Sequence, residues 1–304
     1  FVSGIALYGD IEKCIEDEKF IPQARLFSGR VTDENSDLGP NDKLYIKQIR
    51  NAILHFYENY NCRIFNLSLA DPDNYYNNQQ YQSRWAHVLD NLARKHDLVI
   101  VVSTGNINSK HFREELSMEG EEICKQYPSY LYKDQTALLD PATAINCITV
   151  GSTSNELKTS RGFINPSEKE KGASRITIAS KDQPSPFTRT GPGFNNTVKP
   201  DFVAYGGNMY YDGESERLIS SNYETGIPSL NINFLDDGKL FACNSGTSYS
   251  APYISHLAAR VLDFNNNFSN NTVRALLANS AEYIETSKKL IRNYMEARQE
   301  DLIL

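Results

Sequence analysis

The chain has 304 residues, 40% hydrophobic and 23% charged, enough to bury the core of one large α/β domain or of two ordinary ones. Its formal net charge of −7 argues against a nucleic-acid binder, which needs a clustered basic face, and no apolar run approaches the roughly 18 residues of a membrane span. The five cysteines (Cys14, Cys62, Cys124, Cys147 and Cys243) stand far apart without a Cys-x-x-Cys pair, so neither a zinc site nor a disulfide framework is expected.

In chain order, "QARLFSGRV" (23–31) reads as a strand. Residues 42–60 carry Ile46, Ile49, Ile53 and Phe56 at helical spacing. "CRIFNLSLA" (62–70) reads as a second strand, and 83–96 as a helix with Trp85, Val88, Leu89 and Leu92 on one side. "DLVIVVSTGN" (97–106) is almost continuously apolar, the pattern of a strand covered on both faces. "INCITVGS" (145–152) is another strand. This alternation predicts a three-layer α/β fold, a mostly parallel central sheet with helices on both faces.

Irregular stretches interrupt the pattern. Residues 107–140 are polar and acidic, with "REELSMEGEEICKQ" (113–126) predicted helical. Residues 154–198 and 206–238 are rich in Gly, Asn, Ser and Pro, and loops of such length in a compact domain tend to be functional. After residue 248 the chain reads as helices to its end. We expect one domain over 1–284, with 285–304 as a helical appendage whose charges face solvent.

The chemistry concentrates in "CNSGTSYSAP" (243–252). Gly246 permits a tight turn, and the run after it is helical, with Pro252 expected in the first turn. Ser248 then stands at a helix N-terminus, where free N–H groups and the positive dipole end suit a developing oxyanion. A serine there also serves as an ordinary N-cap. A serine hydroxyl needs a neighbouring base to become a nucleophile.

"SGTSYSAP" resembles the nucleophile motif of the subtilisin-like serine proteases, the subtilase family. Three other segments fit in the family's order: "FNLSLAD" (65–71), "VVSTGN" (101–106) and "SPFTRTGPGFNNTVKPDFVAYGG" (185–207). In the last, Thr188 stands where the family usually has serine. The resemblance implies a serine endopeptidase with Ser248 as nucleophile. The Ser248 N–H and the Asn106 side-chain amide would form the oxyanion hole. Ser68, Leu69 and Ala70 would pair with an extended peptide or protein substrate, and Ser103, Thr104 and Gly105 would line the pocket for the residue before the scissile bond. Asp201 of Lys-Pro-Asp reads as structural.

The family's triad runs Asp, His, Ser along the chain. The opening "FVSGIALYGD" resembles the helix that follows the family's His-Gly-Thr motif, so the histidine and the acid are expected upstream of Phe1, together with an N-terminal strand of the sheet. The chain alone is then expected to be nearly inactive, with that segment as its partner. His256 lies eight residues beyond Ser248 on one helix, about 12 Å along the axis and too far to serve as base. A catalytically dead subtilase-fold module that binds an extended peptide is the alternative. An esterase of α/β-hydrolase type fits poorly, because its Gly-x-Ser-x-Gly lacks a second glycine here. No cofactor, metal, nucleic acid or membrane is expected as partner. Localisation stays open: the free thiols favour the cytoplasm and the family as a whole favours secretion.

Overall fold

The computed structural model describes residues 1–32, 42–77, 81–156, 163–164 and 175–301. Its centre is a parallel sheet of four strands, β1 (Ile64–Leu67), β2 (Val99–Ser103), β3 (Ile148–Thr153) and β4 (Phe202–Tyr205), lying side by side in that order. Ile64 aligns with Val99, Val101 with Ile148 and Val150 with Phe202. This is the α/β architecture expected from the alternating pattern.

The unbroken apolar run of β2 has a direct cause. Leu98, Ile100 and Val102 enter one core cluster, while Val99 and Val101 enter another on the opposite face. None of the five is more than 1% exposed. A strand with both faces buried favours apolar side chains at successive positions.

The first face is covered by α2 (Asp42–Tyr60) and α3 (Arg84–Lys95), which contribute Ile46, Ile49, Ile53, Trp85 and Leu89. Ser83 caps α3 by accepting from Ala86 N at 3.0 Å, and Arg94 and Lys95 complement the dipole at its other end. The second face carries α4 (Thr247–Phe264) and α5 (Asn270–Ser280), with Ala251, Ile254, Ala258, Val273 and Leu277 in the core. The first helix, α1 (Val2–Tyr8), lies on α4, where His256 Nδ1 donates to Ala6 O at 3.2 Å. The final helix, α6 (Glu285–Asp301), is anchored at its start by Ser287, whose hydroxyl donates to Asp182 O.

Three expectations change. Residues 23–31 form no strand: Phe27 packs on Phe56 and Tyr60 of α2, and Leu26 is 44% exposed. Local apolar content did not suffice, because a strand needs a ladder partner and the segment has none among the described residues. The stretch 113–126 is split between two short helices, Ser109–Glu114 and Glu121–Gln126, with positive φ at Ser117 (52°) and Gly120 (55°) between them. The surrounding segment packs Phe112, Leu116, Ile123 and Tyr130 into a third cluster with Phe187 and Met209. The predicted loop 206–238 contains strands Tyr210–Asp212, Arg217–Ile219 and Ile227–Leu230.

Candidate active site

Adjacent parallel strands β1 and β2 run out side by side, Leu67 opposite Val102, so 68–70 and 103–105 emerge as neighbours at their carboxyl ends. The strands then diverge: Thr104 N donates to Val150 O at 3.1 Å on β3, while residues 71–75 pair with 139–140. A crevice at the carboxyl ends of parallel strands is where α/β folds hold their ligands.

The N-terminus of α4 reaches this crevice. Gly246 precedes the helix with φ 154°, and a Cβ there would meet Asn106 Nδ2 at 3.2 Å. Asn106 Oδ1 accepts from Thr247 N at 2.9 Å and from Thr247 Oγ1 at 3.1 Å, joining residues 141 apart in sequence. With its oxygen held twice, the amide must present Nδ2, its two-hydrogen donor, towards the turn at Gly246. Ser248 follows two residues after Gly246, partly exposed. Asn106 and Ser248 therefore share one end of the sheet.

Pro252 lies in the second turn of α4, not the first, because the helix starts at Thr247. Lacking an N–H, it cannot donate to the carbonyl four residues back, which is Ser248 O. Ser68 Oγ makes that donation instead, at 3.2 Å, and Asn66 Nδ2 donates to Ser68 Oγ at 3.0 Å. The carbonyl freed by proline thus ties the serine's backbone to the segment after β1. Leu69 packs against the core on the α2–α3 side, and Ala70 is partly exposed.

Ser103 and Thr104 are buried, at 2% and 0% exposure, and Gly105 takes φ 89°. Segment 187–190 supports the floor: Asn106 bridges Thr188, and Ile107 N donates to Phe187 O at 2.8 Å. Thr188, where the family pattern has serine, accepts from Ser152 N at 3.0 Å through Oγ1, a bond either hydroxyl side chain can make.

Sequence reasoning missed Arg189. It is 1% exposed, and its Nη1 donates to Gln135 O and Ala137 O, both at 3.0 Å, with Nε reaching Asn106 O at 3.4 Å. Burial lowers its pKa to about 10. In the Gly- and Thr-rich loop around Arg189, the apolar Phe187 two residues earlier is the sign of burial the sequence offers.

Each of the five histidines is engaged away from Ser248. His55 contacts Asn59, His87 contacts Asn91, and His96 meets Tyr57 edge-on. His111 lies within 2.8 Å of Asn108 Oδ1, and His256 bonds Ala6 O. Burial lowers the His256 pKa, the bond to Ala6 opposes this, and Arg260 adds a smaller lowering. Among the described residues, none hydrogen-bonds the Ser248 hydroxyl. Asp201 is built into the scaffold: it accepts from Lys199 Nζ at 2.6 Å and from Thr149 N at 2.7 Å. The ring of Phe1 stands edge-on to Tyr249, centroids 6.2 Å apart, next to Ser248.

The model of the subtilase family (peptidase S8) matches residues 1–299, so the chain belongs to the subtilase family. It is also similar to the uncharacterized protein y4bN of Sinorhizobium fredii (strain NBRC 101917 / NGR234), at 38% identity over 237 residues. The match covers 77% of this chain and 52% of that relative, so the chain spans about half the relative's length.

Proposed function

We propose that this chain carries the nucleophile, oxyanion hole and substrate cleft of a subtilisin-type serine endopeptidase. The observation that carries the reading is the pair of hydrogen bonds that Asn106 Oδ1 accepts from Thr247, which aims a neutral donor at the turn entering Ser248. In the reaction, Ser248 Oγ attacks the peptide carbonyl carbon while its proton passes to a base, which delivers it to the leaving amine. Charge on the carbonyl oxygen is met by Asn106 Nδ2 and by the Ser248 N–H, one of the first amides of α4 and so without an intrahelical acceptor. Water then cleaves the ester and restores the serine.

Ser68, Leu69 and Ala70 receive the substrate backbone as an added strand, and Ser103, Thr104 and Gly105 form the wall of the adjoining pocket. The base is a histidine in a segment preceding Phe1, paired with an aspartate. The edge contact of Phe1 with Tyr249 supports this, since it holds that end of α1 beside Ser248.

The test is labelling by a serine-directed fluorophosphonate, with the adduct located by mass spectrometry. Residues 1–304 alone should label slowly, and adding the upstream segment, in cis or as a second chain, should restore labelling at Ser248; Ser248→Ala should abolish it. A full-length protein that never labels while still binding extended peptides would support the dead peptide-binding module instead.

A further inference from the structure

We infer that the hairpin leading into the Gly246 turn carries at its tip a docking surface for a basic, amphipathic polypeptide segment. Strands Ile227–Leu230 and Phe241–Asn244 pair antiparallel, with Leu230 opposite Phe241, and the second runs on into Ser245 and Gly246. The tip that joins them is the reverse of an ordinary surface loop. Its polar Asn231 is 7% exposed, whereas Ile232 is 78%, Leu235 83% and Leu240 64% exposed.

Hydrogen bonds hold the tip in that form. Asn231 Nδ2 donates to the two carboxylate oxygens of Asp237 at 3.0 and 2.9 Å and to Lys239 O at 2.9 Å, and its Oδ1 accepts from Asn233 N at 3.0 Å. Asn231 N donates to Leu240 O at 2.9 Å. Polar groups are satisfied within the loop while apolar side chains are displayed outside it, and such preorganisation lowers the ordering cost of binding. The apolar surface continues past the tip: Phe241 stacks on the exposed Phe20, ring centroids 5.5 Å apart, and Ile21 follows it, also exposed. Contiguous exposed apolar surface marks an interaction site.

Charge selects the occupant. Glu16, Asp17 and Glu18 precede Phe20, and Asp236 and Asp237 lie in the tip, all exposed, against Lys19 and Lys239 on the same two segments. A second copy docked through this patch would bring the same carboxylates face to face, and an anionic membrane surface would meet them too; like charges oppose both. A basic amphipathic segment offers the opposite sign together with an apolar face to cover Ile232, Leu235 and Leu240. The surface is a four-residue strand away from the Gly246 turn and uses none of the residues assigned to catalysis, so it is tested independently of the protease reading.

The test is fluorescence anisotropy on the full-length protein carrying Ser248→Ala, which prevents cleavage of the probe. The probe is a labelled peptide of about 18 residues, leucine and lysine patterned as an amphipathic helix, and the control carries glutamate in place of lysine. The lysine peptide should bind about tenfold or more tightly than the glutamate peptide, and added salt should narrow the gap. Ile232→Ser with Leu235→Ser should weaken its binding by about tenfold or more, as for central apolar anchors, and leave the melting temperature unchanged because both side chains are already solvated. Glu16→Gln with Asp236→Asn should weaken the lysine peptide alone. No binding of the lysine peptide, equal binding of the two peptides, or binding that survives the serine pair would overturn the inference. So would adsorption to phosphatidylserine vesicles, or self-association in sedimentation, that the serine pair abolishes.

Discussion

Asn106 offers the sharpest test of the site, because its two ends do different work. Oδ1 holds Thr247 through bonds of 2.9 and 3.1 Å, and Nδ2 is the proposed donor to the oxyanion. Asn106→Ala removes both functions. Thr247 is 0% exposed, so stranding its amide and hydroxyl should lower stability by about 1–3 kcal/mol. A hydrogen bond to a charged acceptor contributes about 1.5–3 kcal/mol, so losing the donor should slow the chemical step roughly 10- to 150-fold. Asn106→Asp separates the effects. The carboxylate still accepts from Thr247, so the loss of stability should be mostly recovered. Its negative charge opposes the oxyanion, so the rate should fall at least as far as in the alanine variant. Thermal unfolding reports the first quantity, and the fluorophosphonate labelling rate of the full-length protein reports the second. Rates within twofold of wild type in Asn106→Asp would refute the assignment of Nδ2, whatever the stability.

Two further predictions concern the scaffold. Lys199 is almost fully buried and its ammonium depends on Asp201 at 2.6 Å, so Asp201→Asn should cost about 3 kcal/mol, the low end of the range for a broken buried pair because Asp201 retains some solvent contact; urea unfolding checks it. Because burial holds His256 below its ordinary value of 6.5, the folded chain binds fewer protons than the unfolded chain between the two values. Its contribution is fully present above about pH 6.5 and declines as pH falls through the folded value. The melting temperature should therefore drop on acidification across that interval, and His256→Gln should flatten the slope; an unchanged slope would exclude His256 as the source.

Much of the sheet was legible because its cause is local composition. The run 97–106 is apolar at every position a doubly covered strand requires, and its neighbours show the same alternation of short strand and amphipathic helix. Ser248 and Asn106 were legible as a pair because the family's motifs stood in order along the chain. Segment 23–31 misled, since apolar residues suit a strand as well as a contact with α2, and pairing decides between them. The insertion 107–140 gave little sign of its own core, because its partners Phe187 and Met209 lie far along the chain.

Residue type and order were thus enough to define a parallel α/β fold and a helix whose first turn carries Ser248. Folding added whatever depends on contacts between distant segments. Proline at 252 frees a carbonyl, but only the arrival of Ser68, 180 residues earlier, supplies its donor. Arg189 is buried because carbonyls from 135 and 137 surround it, and Leu139 packs onto the face of Gly105 because Gly105 has no side chain to keep it out. Propensity and periodicity act over a turn or a strand, whereas the shape of a cleft depends on which surfaces meet when the chain is packed.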